Sequence, residues 1–153
     1  MINIRKGEKD DLPFVLELIK ELADYEKCLH KVNVQISDLE KDGFGHNPLF
    51  YFLVAEKDTQ IIGMALYYIH YSTWDGKCLF LEDFIVQKKF RRKGVGKLLF
   101  NKIIDIAKKK KFNRVMWQVL NWNKTAINFY KKYNAEISDN WLNGRLTKNQ
   151  IIN

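Results

Sequence analysis

The sequence predicts a mixed α/β protein in which a central mixed sheet carries helices on both faces. Three observations lead there. Apolar residues recur with period two in some segments and with a helical period in others, in the order β-α-α-β-β-β-α-β-α-β-β. Phe84 to Leu99 reads as an apolar strand, a basic Gly-containing turn and the start of a helix. No internal repeat, low-complexity stretch or Gly/Ser/Pro-rich linker interrupts the 153 residues, so residues 1–153 are expected to form one domain.

Ile2 to Lys6 alternates apolar and polar residues as a half-buried strand does. Asp10 or Asp11 can cap the following helix, and Pro13 is tolerated in its first turn. Leu12, Val15, Leu16, Ile19, Leu22 and Ala23 form its apolar stripe. A shorter helix is expected from Ile36 to Lys41, ending at Gly43, before a loop through Pro48. Phe50 to Glu56 and Ile61 to Tyr71 read as strands joined by the polar turn Lys57-Asp58-Thr59-Gln60. Cys78 to Val86 is a long strand. After the basic turn, Val95, Leu98, Leu99, Ile103 and Ile106 fall on one face of a helix. Arg114 to Leu120 is a strand, Lys124 to Tyr133 a helix, and two short strands are expected near 135–138 and 141–147.

Composition bounds the function. Hydrophobic residues make up 46% and aromatics 14%, enough for a packed core rather than a disordered chain. No apolar run approaches a membrane span, and the first residues lack a signal-peptide core. Cys28 and Cys78 lie far apart, and His30, His46 and His70 form no ligand pattern; a cytoplasmic protein with reduced thiols and no metal is expected. The net charge of +8 is compatible with nucleic acid, but Lys108 to Lys111 closes a helix, where cations complement terminal carbonyls. No helix-turn-helix, zinc-finger or aromatic RNA-binding signature accompanies the charge.

The basic turn, Arg91-Arg92-Lys93-Gly94-Val95-Gly96-Lys97, suits an anion. Backbone N–H groups at a helix start point outward, where the helix dipole favours negative charge. Leu98 after Gly96-Lys97 excludes the nucleotide-triphosphate loop, and Leu99 excludes the dinucleotide fingerprint. A pyrophosphate-bearing ligand fits what remains.

Directly upstream, Glu82 and Asp83 interrupt an otherwise apolar strand. Neighbours in a regular strand face opposite sides, so one carboxylate must enter a cleft or a bulge must re-aim the pair. Structural ion pairing with Lys or Arg is the alternative. In the later helix, Ala126, Phe129, Tyr130 and Tyr133 share a face that would ordinarily be core. The chemistry gives these groups a use. A carboxylate in a cleft can hold an ammonium of pKa near ~10 and accept its proton, and a phenol can protonate a departing thiolate.

Together these segments resemble the GNAT N-acetyltransferase superfamily, and more closely its diamine (spermidine/spermine) and thialysine branch. The resemblance runs through Ile19-Lys20-Glu21-Leu22-Ala23, Tyr25-Glu26, Asp42-Gly43-Phe44-Gly45, Leu53-Val54-Ala55-Glu56, Tyr71-Ser72-Thr73-Trp74, Leu81-Glu82-Asp83-Phe84, Arg91-x-x-Gly94-x-Gly96 and Trp122-Asn123 to Tyr130. It implies a GNAT fold with a mostly antiparallel mixed sheet, and acetyl-coenzyme A as co-substrate without a metal. It also implies cofactor contacts from Phe84, Ile85 and Val86, pyrophosphate binding by Arg91, Arg92, Lys93, Gly94, Val95, Gly96 and Lys97, and further contacts from Asn123, Lys124 and Tyr130. Tyr130 matches the family's general acid and Glu82 its proton acceptor. Tyr25, Glu26, Trp74 and Asp83 match positions around the acceptor amine. Members of the branch are typically homodimers.

The acceptor expected is a small primary amine: thialysine, a lysine-like amino acid, or a diamine or polyamine. Ser72 stands where polyamine enzymes place an Asp, which favours the amino-acid-like acceptor. Protein or peptide lysine, and a non-catalytic coenzyme A-binding or nucleic-acid-binding module, are the alternatives.

Overall fold

The computed structural model describes residues 1–152. Strands β1 (Ile2–Lys6), β2 (Tyr51–Lys57), β3 (Gln60–Ser72), β4 (Gly76–Val86) and β5 (Arg114–Trp117) form one sheet in that spatial order. The first four are antiparallel neighbours. β5 joins β4 in parallel, because helix α3 (Val95–Lys109) carries the chain back between them. The chain packs as two compact units, Met1–Gln118 and Val119–Asn153.

In the first unit the sheet has a helical layer on each face. Helix α1 (Leu12–Tyr25) buries Leu12, Val15, Leu16 and Leu18 against Phe52, Val54, Met64, Leu66 and Ile85. Helix α2 (Ile36–Phe44) adds Leu39 to this core and runs three residues beyond Lys41, because Phe44 packs edge-on against Phe52. The α3 side is marked by Phe100, which meets Phe84 at 5.8 Å and Trp117 at 5.5 Å between ring centroids. Adjacent Phe84 and Ile85 therefore face opposite layers, as a strand's period of two requires. Gly63 permits the close approach: a Cβ there would lie 2.7 Å from the Ile85 carbonyl oxygen and 3.3 Å from Leu99 of α3.

Asp11 does not cap α1. A short 3₁₀ turn, Lys9–Asp11, precedes the helix, and the carboxylate reaches back to accept the Glu8 N–H at 2.8 Å and Arg5 at 2.7 and 2.9 Å. Those bonds, Arg5 foremost, hold the Asp11 carboxyl below its usual range despite burial.

β4 carries the irregularity that shapes the site. Leu66 pairs with Asp83 and Tyr67 with Leu81, so Glu82 is an extra residue, a β-bulge. β5 pairs with β4 only from Cys78 to Leu81, and its ladder stops where the bulge begins. It therefore ends at Trp117 rather than Leu120.

In the second unit, α4 (Lys124–Lys131) starts on Asn123, whose side chain accepts the Ala126 N–H at 3.2 Å. It closes short of Tyr133 because Asn134 turns left-handed (φ 56°), while the Tyr130 carbonyl accepts the Tyr133 and Ala135 N–H groups. The two expected terminal strands are absent: among the described residues no strand follows β5, and a helix α5 (Lys148–Ile152) forms instead. The apolar residues there do not alternate. Trp141 and Leu142 are neighbours, 80% and 96% exposed, and Asn143-Gly144 breaks the run, so no face is buried and no ladder pays the ordering entropy. Among the described residues no helix is long and apolar enough to cross a membrane.

Candidate active site

The bulge resolves the problem posed by two adjacent carboxylates. Asp83 lies opposite Leu66, which belongs to the α1 core, and the extra residue lets Glu82 avoid the alternation that would separate the two. Asp83 is half-buried and its pKa is pushed up to about 7, first by desolvation, then by the negative charges of Glu82 and Glu26. Desolvation raises Glu82 and Glu26 as well. Among the described residues none of these three carboxylates makes an ion pair with Lys or Arg, whereas Asp11, Glu56 and Asp75 do. The structural-pairing alternative is not what the geometry shows. Two carboxylates acting on a desolvated third give surroundings suited to holding a cation.

The basic turn begins where β4 ends. Gln87 donates its N–H to the Ile62 carbonyl at 2.9 Å, which with the ladder's two-residue period pairs Ile85 with Met64. Main-chain groups of Phe84 and Val86 consequently turn to the edge that β5 has left. A 3₁₀ turn, Lys88–Phe90, follows, then Arg92 and Gly94 in the left-handed region at φ 63° and 81°. Gly94 is the N-cap of α3, so the N–H groups of Val95, Gly96 and Lys97 open the helix with no preceding helical carbonyl to accept them. Alternating backbone hands and a helix start form a concavity of donors suited to an oxyanion.

The basic side chains are not equivalent. Arg91 donates through Nε to the Val86 carbonyl at 2.8 Å, has Nη2 3.9 Å from Glu21, and lies 5.1 Å over the Tyr25 ring. Lys93, Lys89 and Lys57 gather on the Phe90 ring at 5.6, 5.1 and 6.0 Å. Arg92 and Lys97 are exposed.

Tyr25 and Glu26 end α1, and Glu26 acts electrostatically on Asp83, so these expected acceptor residues gather with Glu82 and Asp83. Trp74 does not join them within this chain. It sits 81% exposed in the β3–β4 turn, roughly 20 Å from Glu82 at ~3.3 Å per strand residue. Ser72 accepts the Trp74 and Asp75 N–H groups at 3.2 and 3.1 Å, a turn-capping role. In the second unit Asn123 and Lys124 open α4, and Tyr130, 5% exposed, meets Phe129 edge-on at 5.4 Å.

Two neighbours were not singled out from sequence. Tyr68 stacks on Phe80 at 5.1 Å, and its hydroxyl is raised by burial and by the Glu82 charge. Glu21 accepts the Lys88 N–H at 3.0 Å. The strand period could place Tyr68 on a face, but only the β3–β4 register brings it to Glu82.

Comparison with known proteins follows from this arrangement. Residues 15–135 match the Acetyltransferase (GNAT) family. The chain is 37% identical over 153 residues to thialysine N-epsilon-acetyltransferase of Mus musculus, covering 93% of this chain and 90% of that protein. It is 40% identical over 139 residues to spermidine/spermine N(1)-acetyltransferase-like protein 1 of Homo sapiens, covering 86% of this chain and 20% of that protein. An aminoglycoside acetyltransferase from an uncultured soil metagenomic sample superposes with a TM-score of 0.78, at 20% identity and 95% coverage of both chains, a likeness of fold. The family match over most of the chain and the 37% identical relative agree, and the chain belongs to the GNAT family of acetyltransferases.

Proposed function

We propose that this protein transfers acetyl from acetyl-coenzyme A to the primary amine of a small molecule, a lysine-like amino acid such as thialysine or a diamine. The observation that carries it is the bulge at Glu82, which gathers unpaired carboxylates on the same strand that delivers the anion-binding turn. The relatives named for thialysine and polyamine substrates support the acceptor class over protein lysine.

Acetyl-coenzyme A supplies the activated thioester. The residues fit its phosphates: the N–H groups of Val95, Gly96 and Lys97 and the charges of Arg92, Lys93 and Lys97 would hold the pyrophosphate. Gly94 sets the turn and Arg91 braces its entry. The strand edge at Phe84, Ile85 and Val86 would take the amide-bearing arm, and Asn123 and Lys124 are assigned further cofactor contacts. Tyr25, Glu26, Glu82 and Asp83 would hold the ammonium. Glu82 accepts its proton, with Asp83 sharing the charge, so the nitrogen lone pair can attack in a single ternary complex. Tyr130 gives a proton to the departing sulfur.

Trp74 reaches an acceptor site only if a second copy of the chain presents it, which supports a homodimer. The free thiols of Cys28 and Cys78 suit a reducing cytoplasm.

Thiol release from acetyl-coenzyme A, measured with thialysine, lysine, putrescine, spermidine and a histone-tail peptide, tests the proposal. Preferential turnover of a small amine is expected. Preference for the peptide, or silence with every amine, would overturn it.

A further inference from the structure

One side chain of α1 connects the anion-binding turn to the carboxylate cluster. Glu21 Oε1 accepts the Lys88 main-chain N–H at 3.0 Å, a contact across 67 positions of sequence, and lies 3.9 Å from Arg91 Nη2. Lys88 opens the 3₁₀ turn that leads into the loop, where its N–H has no helical carbonyl to bond. Arg91 is held at Nε by the Val86 carbonyl, and its guanidinium covers Tyr25. Glu21 and Tyr25 are four residues apart on one face of α1, so Arg91 spans both. Tyr25 is followed by Glu26, whose charge acts on Asp83. Glu17, one turn earlier on the helix, lies 3.5 Å from Lys20 instead.

We propose that Glu21 is a positioning residue that, through Lys88 and Arg91, fixes the phosphate-binding turn against the Tyr25–Glu26 end of α1 and so links cofactor occupancy to amine capture. This rests on the acetyltransferase reading of the turn and of the carboxylate cluster. A guanidinium has five N–H donors; Nε is given to Val86, Glu21 lies 3.9 Å away as a charge partner, and the other donors can serve an anion in the turn. An anion bound by those donors shares Arg91, as Glu21 holds it, with the Tyr25 ring that the guanidinium covers. Such a shared contact makes two sites interdependent, and the linkage must be reciprocal.

The test measures coenzyme A affinity by titration calorimetry on the full chain, with and without saturating thialysine. In the wild type the amine changes the coenzyme A Kd. In Glu21→Leu that change is expected to vanish and the Kd itself to rise about fivefold or more, with the melting temperature close to wild type. Glu21→Gln, which keeps an acceptor for Lys88 but loses the charge facing Arg91, is the gentler variant and should lose part of the linkage. Arg91→Met should weaken binding in the wild type but add little in Glu21→Leu, the signature of a shared contact. Additive effects of the two substitutions, a fall in melting temperature with linkage intact, or no linkage in the wild type would overturn the proposal. Gly96→Asp separates the two levels of inference. If it still binds coenzyme A, the reading of the turn fails and Glu21's role with it. If it loses coenzyme A while Glu21→Leu keeps wild-type linkage, Glu21's role alone fails.

Discussion

Asp83 shows how one residue's surroundings decide its chemistry. Its carboxyl sits at about 7 because it is desolvated and faces Glu82 and Glu26. Between 3.8 and about 7 the folded state therefore holds a proton that the unfolded chain has lost, so stability falls as pH rises through that window and stays reduced above it. Asp83→Asn removes the burden: its melting temperature should exceed wild type by about 3 °C or more at pH 8 and match it near pH 4. Equal shifts at both pH values would show that charge is not the cause. Tyr130→Phe keeps the ring against Phe129 but removes the hydroxyl. Turnover should fall by about 10²-fold with coenzyme A affinity kept, and unchanged turnover would deny the acid role. The adjacent carboxylates were legible as an anomaly in an apolar strand. That Asp83 is the more displaced of the two was not, because its desolvation, and then the charge of Glu26, arise only through the fold.

Among the elements, β4 carries most of the proposed site. Its bulge aims the carboxylates, ends the pairing with β5 and precedes the turn that opens α3. Hydrophobic period made nearly every strand and helix of the first unit readable, and the turn was readable from Gly94, Gly96 and the charges beside them. The bulge was legible only as one of two options, since sequence shows a surplus carboxylate but not the register. Ile137, Trp141, Leu142 and Leu146 misled in the opposite direction: apolar content suggested strands, yet a strand needs a partner edge. Arg91 was read with the phosphate-binding cations, and its ties to Val86 and Glu21 lie beyond local pattern. Gly94 offers an element-scale test. Nothing lies within 4 Å of a Cβ added there, so Gly94→Ala should cost about 1 kcal/mol from its left-handed φ of 81° alone. Denaturant unfolding measures that cost; a neutral effect would mean that the turn relaxes.

For the whole molecule, the excess of 26 Lys and Arg over 18 Asp and Glu is unevenly used. Cations gather at residues 88–97 beside β4, while Glu26, Glu82 and Asp83 gather at the end of α1. An anionic co-substrate and a cationic acceptor are thereby given separate ground. Trp74 belongs to this scale, because it stands far along the β3–β4 arm from those carboxylates and is 81% exposed. If a second copy presents it, Trp74→Ala should raise the amine KM severalfold without changing coenzyme A affinity, and sedimentation should show a dimer at assay concentration. A fully active monomer would contradict that arrangement.

The measurement that bears most directly on the carboxylate mechanism is the pH profile of kcat/KM for the preferred amine, at saturating acetyl-coenzyme A, in wild type and Glu82→Gln. The predicted result is a loss of about 10²-fold near pH 7 that narrows as pH approaches the amine's own pKa near ~10 and free amine becomes abundant. A Glu82→Gln profile superimposable on wild type would show that the bulged carboxylate takes no proton.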